Sequence, residues 1–235
     1  MQELKRGAED FGLILSDNQL AQFETYWNLL QERNKVMNLT AITDRAEAVE
    51  KHFLDSLALT LAADFDGKRL IDIGTGAGFP GLPIKIATPS LEVTLLDSLN
   101  KRVRFLEEVC CDLRLKSIAC IHARAEEWVA RPGERESYDY ATSRAVAELN
   151  VLLELCLPYV RVGGAFLAMK TAHAEAEIEA AVSAAAILGG EIETYHDYTL
   201  PGSPDVVRRI MVIRKVTPTP ERYPRRFARM QKQPL

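Results

Sequence analysis

The chain has 235 residues, 47% hydrophobic and 26% charged, with a net charge of −4, an ordinary soluble globular mix with ample apolar material for one domain plus extensions. No apolar run approaches the ~18–20 residues of a membrane span, and the N-terminus, MQELKRGAEDFG, carries charge from Glu3 onward and has no signal-type apolar stretch. Neither export nor a membrane span is therefore expected, and a cytoplasmic protein is. Residues 1–62 read as a helical extension on the core. Ser16 to Gln19 has the form of a capping box ahead of an apolar stripe at Leu20, Phe23, Trp27 and Leu30. That stripe is expected to be core, with base stacking by Tyr26 or Trp27 the alternative. Asp44 to Glu47 is a second start signal, leading into Val49, Phe53, Leu57 and Leu61 at helical spacing.

From residue 63 to 216 strands alternate with helices. The expected strands are Arg69–Ile73, Val93–Asp97, Ile118–His122, Tyr138–Thr142 and Gly164–Lys170. The expected helices are Pro80–Ala87, Asn100–Leu113, Leu149–Val160 and Ala174–Leu188. This alternation predicts a mainly parallel α/β sheet with right-handed crossovers. Glu191–Leu200 and Val206–Val216 are strand-like runs with only Pro201 to Asp205 between them, so an antiparallel hairpin should close a seven-stranded sheet. Residues 217–235 hold prolines and clustered arginines and are expected to lack regular structure. From Arg208 to the end, nine Lys and Arg face the single Glu221, a net of +8, so residues 1–207 carry −12. A basic tail on an acidic body fits a nucleic-acid binder, and equally a solvated edge. The four cysteines (Cys110, Cys111, Cys120, Cys156) form no CxxC pair; they read as small buried hydrophobes, and no metal site is expected.

The most informative stretch runs Leu70-Ile-Asp72-Ile-Gly74-Thr-Gly76-Ala-Gly78-Phe79-Pro-Gly81. A strand enters alternating glycines and a helix follows, so the backbone can turn sharply and approach a ligand. Two cofactor classes fit. Gly76 to Gly81 satisfies the dinucleotide fingerprint, and Asp72, Gly74, Gly76 and Gly78 satisfy the D/E-x-G-x-G-x-G loop of methyltransferases that use S-adenosylmethionine (SAM). Asp97, at the end of the next strand, is the acid either class needs for ribose hydroxyls. Three features favour SAM. Pro80 and Pro83 crowd the helix start, where a pyrophosphate would need free N–H groups. Ala125-Glu126 after the third strand could meet an adenine edge. The C-terminal hairpin is the strand arrangement that SAM methyltransferases add to the Rossmann plan. A nicotinamide-dependent dehydrogenase stays open as the rival.

Several separate motifs then converge. Asn38-Leu39-Thr40, His52-Phe-Leu-Asp55-Ser56-Leu57, the glycine loop through Gly81, Leu95-Leu-Asp97-Ser98 with Lys101 to Leu106, Arg124-Ala-Glu126 and Ser143-Arg144-Ala145 occur in order over roughly residues 28–170. With this set the chain resembles the bacterial glucose-inhibited division protein B family, methyltransferases of small-subunit ribosomal RNA that modify a guanine at N7. The resemblance implies a Rossmann-like SAM methyltransferase fold, with SAM contacts at Gly74, Phe79, Asp97, Ala125, Glu126 and Arg144. It also implies small-subunit RNA or the 30S particle as partner. Because guanine N7 already carries a lone pair, no general base is expected and the task is positioning. Arg144 has two open roles, cofactor contact (which the resemblance favours) and reading guanine O6 and N7. Arg124 and Lys170 are candidates for RNA contact, as are Arg225 and Arg226 in the tail, with Lys101, Arg102 and Arg104 as phosphate holders. His52, Asp55 and Ser56 share one expected helix and so cannot form a relay with the base between the other two; His52 is expected to line the pocket. A small-molecule methyltransferase and a non-catalytic assembly factor remain the alternatives, and a monomer is the default.

Overall fold

The computed structural model describes residues 1–144, 147–171 and 175–235. Seven strands form one sheet: β1 (Arg69–Ile73), β2 (Glu92–Asp97), β3 (Ile118–His122), β4 (Tyr138–Ser143), β5 (Val160–Thr171), β6 (Gly190–Leu200) and β7 (Ser203–Lys215). Their order is β3-β2-β1-β4-β5-β7-β6. The first five strands run parallel, and β7 inserts antiparallel between β5 and β6. The strand order reverses between β1 and β4, which puts the ligand crevice of such a sheet at the carboxyl ends of those two strands. The glycine loop leaves one of them and Arg144 the other.

Alternating side chains feed two cores. Ala165, Leu167 and Met169 of β5, with Ile210 and Val212 of β7, pack on the N-terminal helices and on α5 (Gly81–Ala87) and α6 (Asn100–Asp112). The short α7 (Ala125–Trp128) lies between β3 and β4 in the chain, and Phe166, Ala168, Met211 and Ile213 face α8 (Leu149–Cys156) and α9 (Glu175–Ile187). Period-two alternation on a sheet covered on both faces requires this division.

The N-terminal extension is α1 (Gln2–Asp10), α2 (Asp17–Met37) and a continuous helical run. That run comprises α3 (Arg45–Ala48), a wide π turn (Val49–Leu54), α4 (Asp55–Leu57) and a 3₁₀ turn (Ala58–Leu61). Ser16 caps α2 with both halves of the capping box, and Asp44 caps α3 through the Glu47 N–H. Phe23, Tyr26, Trp27 and Leu30 are buried in the first core, so Tyr26 and Trp27 are not stacking platforms. The Tyr26 hydroxyl donates to the Ala77 carbonyl, which ties α2 to the glycine loop.

Four expectations are corrected. The hairpin turn is Pro201 and Gly202 alone, with Leu200 opposite Ser203. Pro204 is tolerated in β7 because, among the described residues, β5 pairs only from Arg208 onward, so its missing N–H breaks no described bond to β5. Strand β5 begins at Val160, and the helix before it ends at Cys156 with a 3₁₀ turn over Leu157–Tyr159. Cys111 is exposed, on the outward side of α6, while Cys156 is buried. The tail is not structureless: Tyr223 and Met230 are buried and Phe227–Lys232 forms α10. Arg135 donates to the carbonyls of Thr219 and Tyr223, and Arg225 grips Glu154 of α8. Ala145 of the Ser143-Arg144-Ala145 motif and Ala174, the expected start of α9, lie outside the described residues.

Candidate active site

The glycine loop is built from below. Asp72 is fully buried; its Oδ2 accepts from Thr75 Oγ1 at 2.7 Å and from the Gly81 N–H at 2.8 Å. Its Oδ1 has no partner among the described residues. Burial raises its pKa from 3.8 to about 6, against the lowering effect of those two hydrogen bonds. Asp72 thus shapes the loop beneath the crevice and does not line it. The glycines divide in the same way. Both Gly76 and Gly78 have positive φ, but a side chain at Gly76 would meet only the Gly74 carbonyl oxygen at an ordinary 3.9 Å, whereas at Gly78 it would strike Leu82 at 2.4 Å and the Tyr26 hydroxyl at 2.7 Å. Gly76 lets a ligand approach the backbone; Gly78 lets α2 and α5 close on the loop.

Two clefts open on either side of Asp97. One, of about 140 Å³, is walled by Ile73, Leu96, Leu155 and Phe227, with Ala125 and Glu126 at its edge. Its apolar walls and polar edge suit a flat heteroaromatic ring. The other lies between the loop and the N-terminal helices and is lined by Gly74, Gly76, Phe79, Thr40, His52 and Arg144. Asp97, 3% exposed, lines both. Its Oδ2 accepts from the Gly76 N–H at 2.9 Å, its Oδ1 from the Leu99 N–H at 2.9 Å, and Arg102 lies 3.4 Å away. A carboxylate held between a base-sized cleft and a glycine-lined one is where ribose hydroxyls would be received.

The second cleft is roofed by a polar network. Arg144 Nη1 donates to the Lys51 carbonyl at 2.9 Å and to Asp55 Oδ2 at 2.8 Å. Asp55 Oδ1 accepts from the Tyr198 hydroxyl at 2.8 Å and from Arg208 Nη1 at 3.1 Å. The Arg144 guanidinium stands 5.2 Å over the Phe79 ring, and the His52 ring stacks on the same ring at 4.3 Å. Arg144 Nη2 meets His52 Nδ1 at 3.3 Å. An arginine can only donate, so Nδ1 must accept and Nε2 must carry the proton. That proton goes to Thr40 Oγ1 at 2.8 Å, which also accepts from the Ile42 N–H at 3.0 Å. Both acceptor positions of Thr40 are then filled, and its own hydroxyl proton is left for the cleft. Burial, then the Arg144 charge, push His52 down to about 4, so the ring is neutral at neutral pH.

The structure therefore brings Gly74, Gly76, Phe79, Asp97, Arg144 and His52 to one crevice, and Ala125 and Glu126 to its other arm. Arg124 has a 60% exposed side chain, 3.8 Å from Glu126. Lys170 donates to the Ala147 carbonyl at 3.3 Å, and Arg226 is exposed. Arg225 is corrected: its guanidinium and its N–H both bind Glu154, which is 1% exposed, and it is not presented to a ligand. Ser56 is buried and donates within its own helix to the His52 carbonyl. Sequence reasoning gave no separate role to Thr40, to Asp55 as the hub or to Arg208 and Tyr198 on the hairpin, and it missed Phe227 altogether. Only Thr40 and Asp55 had a signal, their places in the two N-terminal motifs.

A parallel sheet with an inserted antiparallel strand, a glycine loop at the reversal point and an acid at the end of the neighbouring strand together define a SAM-dependent methyltransferase. The same fold appears in a SAM-dependent methyltransferase from Aquifex aeolicus, at a TM-score of 0.56 and 14% identity over 75% of this chain and 96% of that one. The family model described as GidB, rRNA small subunit methyltransferase G, matches residues 19–202. Ribosomal RNA small subunit methyltransferase G of Acetivibrio thermocellus is 50% identical over 99% of this chain and 95% of that protein. Its namesake in Bacillus subtilis is 47% identical over 100% and 98%. The chain belongs to this family of small-subunit ribosomal RNA methyltransferases.

Among the described residues no group of His, Cys, Asp and Glu could hold a metal ion, and no helix is long and apolar enough to cross a membrane.

Proposed function

We propose that this chain uses SAM to methylate a guanine of small-subunit ribosomal RNA at N7. The observation that carries the choice of atom is that, among the described residues, the two side chains lining the second cleft that could take up a proton are both committed. His52 accepts from Arg144 at Nδ1 and is protonated at Nε2. Asp97 accepts two backbone N–H groups. A nucleophile that must first lose a proton is poorly served there, whereas guanine N7 attacks with a lone pair it already has.

SAM, when bound, supplies an electrophilic methyl group. The adenine would lie in the apolar cleft against Ala125 and Glu126, and the ribose at Asp97. The amino-acid end would lie along Gly74 and Gly76 towards Phe79 and Arg144. Asp72 and Gly78 act through the loop's shape. The residues then hold and orient, and orientation of this kind can contribute on the order of 7–11 kcal/mol of a barrier. Thr40 and Arg144 offer donors to the O6 that neighbours N7. In A-form RNA the edge carrying N7 faces a deep, narrow groove, so the target base is read from a loop or flipped out. Exposed cations around the mouth, Arg124, Lys101, Arg104 and Arg226 among them, meet phosphates, with Lys170 near the end of β5.

The test is methyl transfer from labelled SAM to small subunits, or their RNA, from a strain lacking this gene and from wild type. Label entering only the unmodified RNA, at guanine N7, is expected. SAM binding without RNA labelling would favour the small-molecule or assembly-factor readings.

A further inference from the structure

The segment after β7 lies outside residues 19–202, the span matched by the family model, yet Phe227 forms part of the wall of the apolar cleft. We propose that residues 223–232 are a strap that completes the adenine site, with Phe227 as a cofactor-positioning residue, so that SAM affinity depends on the strap being docked. The proposal rests on the reading of that cleft as the adenine site.

The strap is clasped at two places, each next to a residue that lines the cleft. Arg225 makes a two-pronged contact with buried Glu154, the neighbour of Leu155 on α8. The Phe227 N–H donates at 3.3 Å to Oε1 of Glu126, which sits at the cleft's edge. Buried Tyr223 and Met230 hold the segment from either side. An arginine–carboxylate pair with one partner almost fully enclosed fixes geometry tightly, because neither charge can be left alone there. The consequence is that an aromatic ring held in place by the strap joins Ile73 and Leu96 in lining the cleft, a surface that suits a purine ring. The chemistry that recognises the ligand is stacking and apolar contact, with Glu126 partly engaged by the strap itself. Arg226 and Arg229, on the strap's outer side, are exposed and provide natural cleavage points for trypsin.

Two measurements test the proposal. In the first, SAM is titrated calorimetrically into the full-length protein and into Phe227→Ala, Phe227→Leu and Phe227→Tyr. Losing an aromatic contact to a base corresponds to roughly a five- to hundredfold weaker SAM dissociation constant. That loss is expected for Phe227→Ala, a smaller one for Phe227→Leu, and near-complete rescue for Phe227→Tyr, with the ligand-free unfolding midpoint little changed. In the second, the unaltered protein is digested briefly with trypsin. By reciprocity, a ligand that needs the docked strap must stabilise it, so saturating SAM should slow cleavage after Arg226 and Arg229. Unchanged SAM affinity in a folded Phe227→Ala or Phe227→Leu, or tryptic cleavage indifferent to SAM, overturns the proposal. If the unaltered protein binds no SAM, it is the reading of the site itself that fails.

Discussion

Replacing Asp72 by Asn should stabilise the protein above pH 6 while leaving the loop's hydrogen bonds in place. Both donors to this side chain, the Thr75 hydroxyl and the Gly81 N–H, converge on Oδ2, and Oδ1 has no partner among the described residues. The amide oxygen can take over Oδ2, and the neutral NH₂ group can occupy the position of Oδ1. What is removed is a buried charge. The carboxyl's pKa rises from 3.8 to about 6, chiefly through burial. A raised acid binds more protons folded than unfolded between these values, so its contribution to stability falls as pH rises from about 4 to 6 and is constant above. Roughly two pH units correspond to about 3 kcal/mol at 1.36 kcal/mol per unit. For a chain of this size that is about 6–12 °C in unfolding midpoint. Thermal unfolding of both proteins from pH 4 to pH 8 would show the midpoints converging at the acid end and separating by pH 7. A variant less stable than the parent at pH 7, or a constant difference across the range, would refute the reasoning. It would mean that the buried charge is compensated in the fold, so that the carboxyl's pKa is not raised by burial.

Further expectations concern the roof of the second cleft. Asp55→Ala would leave the partly buried guanidiniums of Arg144 and Arg208 facing each other, costing about 3–5 kcal/mol and appearing as a large drop in unfolding midpoint; an unchanged midpoint would show that the pairs contribute nothing. Thr40→Ser keeps the hydroxyl and should keep activity. Thr40→Val should lower kcat/KM for RNA by roughly five- to hundredfold, the worth of about 1–3 kcal/mol for a lost buried hydrogen bond, with the SAM dissociation constant little changed; equal effects on both ligands would sink the assignment. The His52 ring, depressed to about 4 by burial and by Arg144, should show no titration in nuclear magnetic resonance between pH 6 and pH 8, and a midpoint near 6.5 would mean that Arg144 does not hold Nδ1.

Much of the sheet was legible because its signals are local. Glycines in alternation after a short apolar strand, an acid at the end of the next strand and two capping motifs each act within a few residues. The hairpin was legible from its pattern, but not the length of its turn. Pro204 reads as a strand breaker unless one knows that the described pairing of β5 with β7 begins only at Arg208. The tail misled for a related reason. Its prolines and arginines look solvated when counted along the chain, and the partners that order Tyr223, Arg225 and Met230 lie on α8 and in the second core.

The chain's own order of residues thus determined the class of fold, the glycine loop after β1 and the acid, Asp97, at the end of β2. The tertiary structure alone decided which loop residues face a ligand. Asp72 and Gly78 belong to the same motif as Gly76, yet α2 and α5 enclose them and leave Gly76 open. It also decided that Arg144 is held by Asp55 and His52, 89 and 92 residues away in sequence, and that Arg225 serves Glu154, 71 residues away. Hydrogen bonds and burial depend on distance in space, and residue spacing carries that information only within an element.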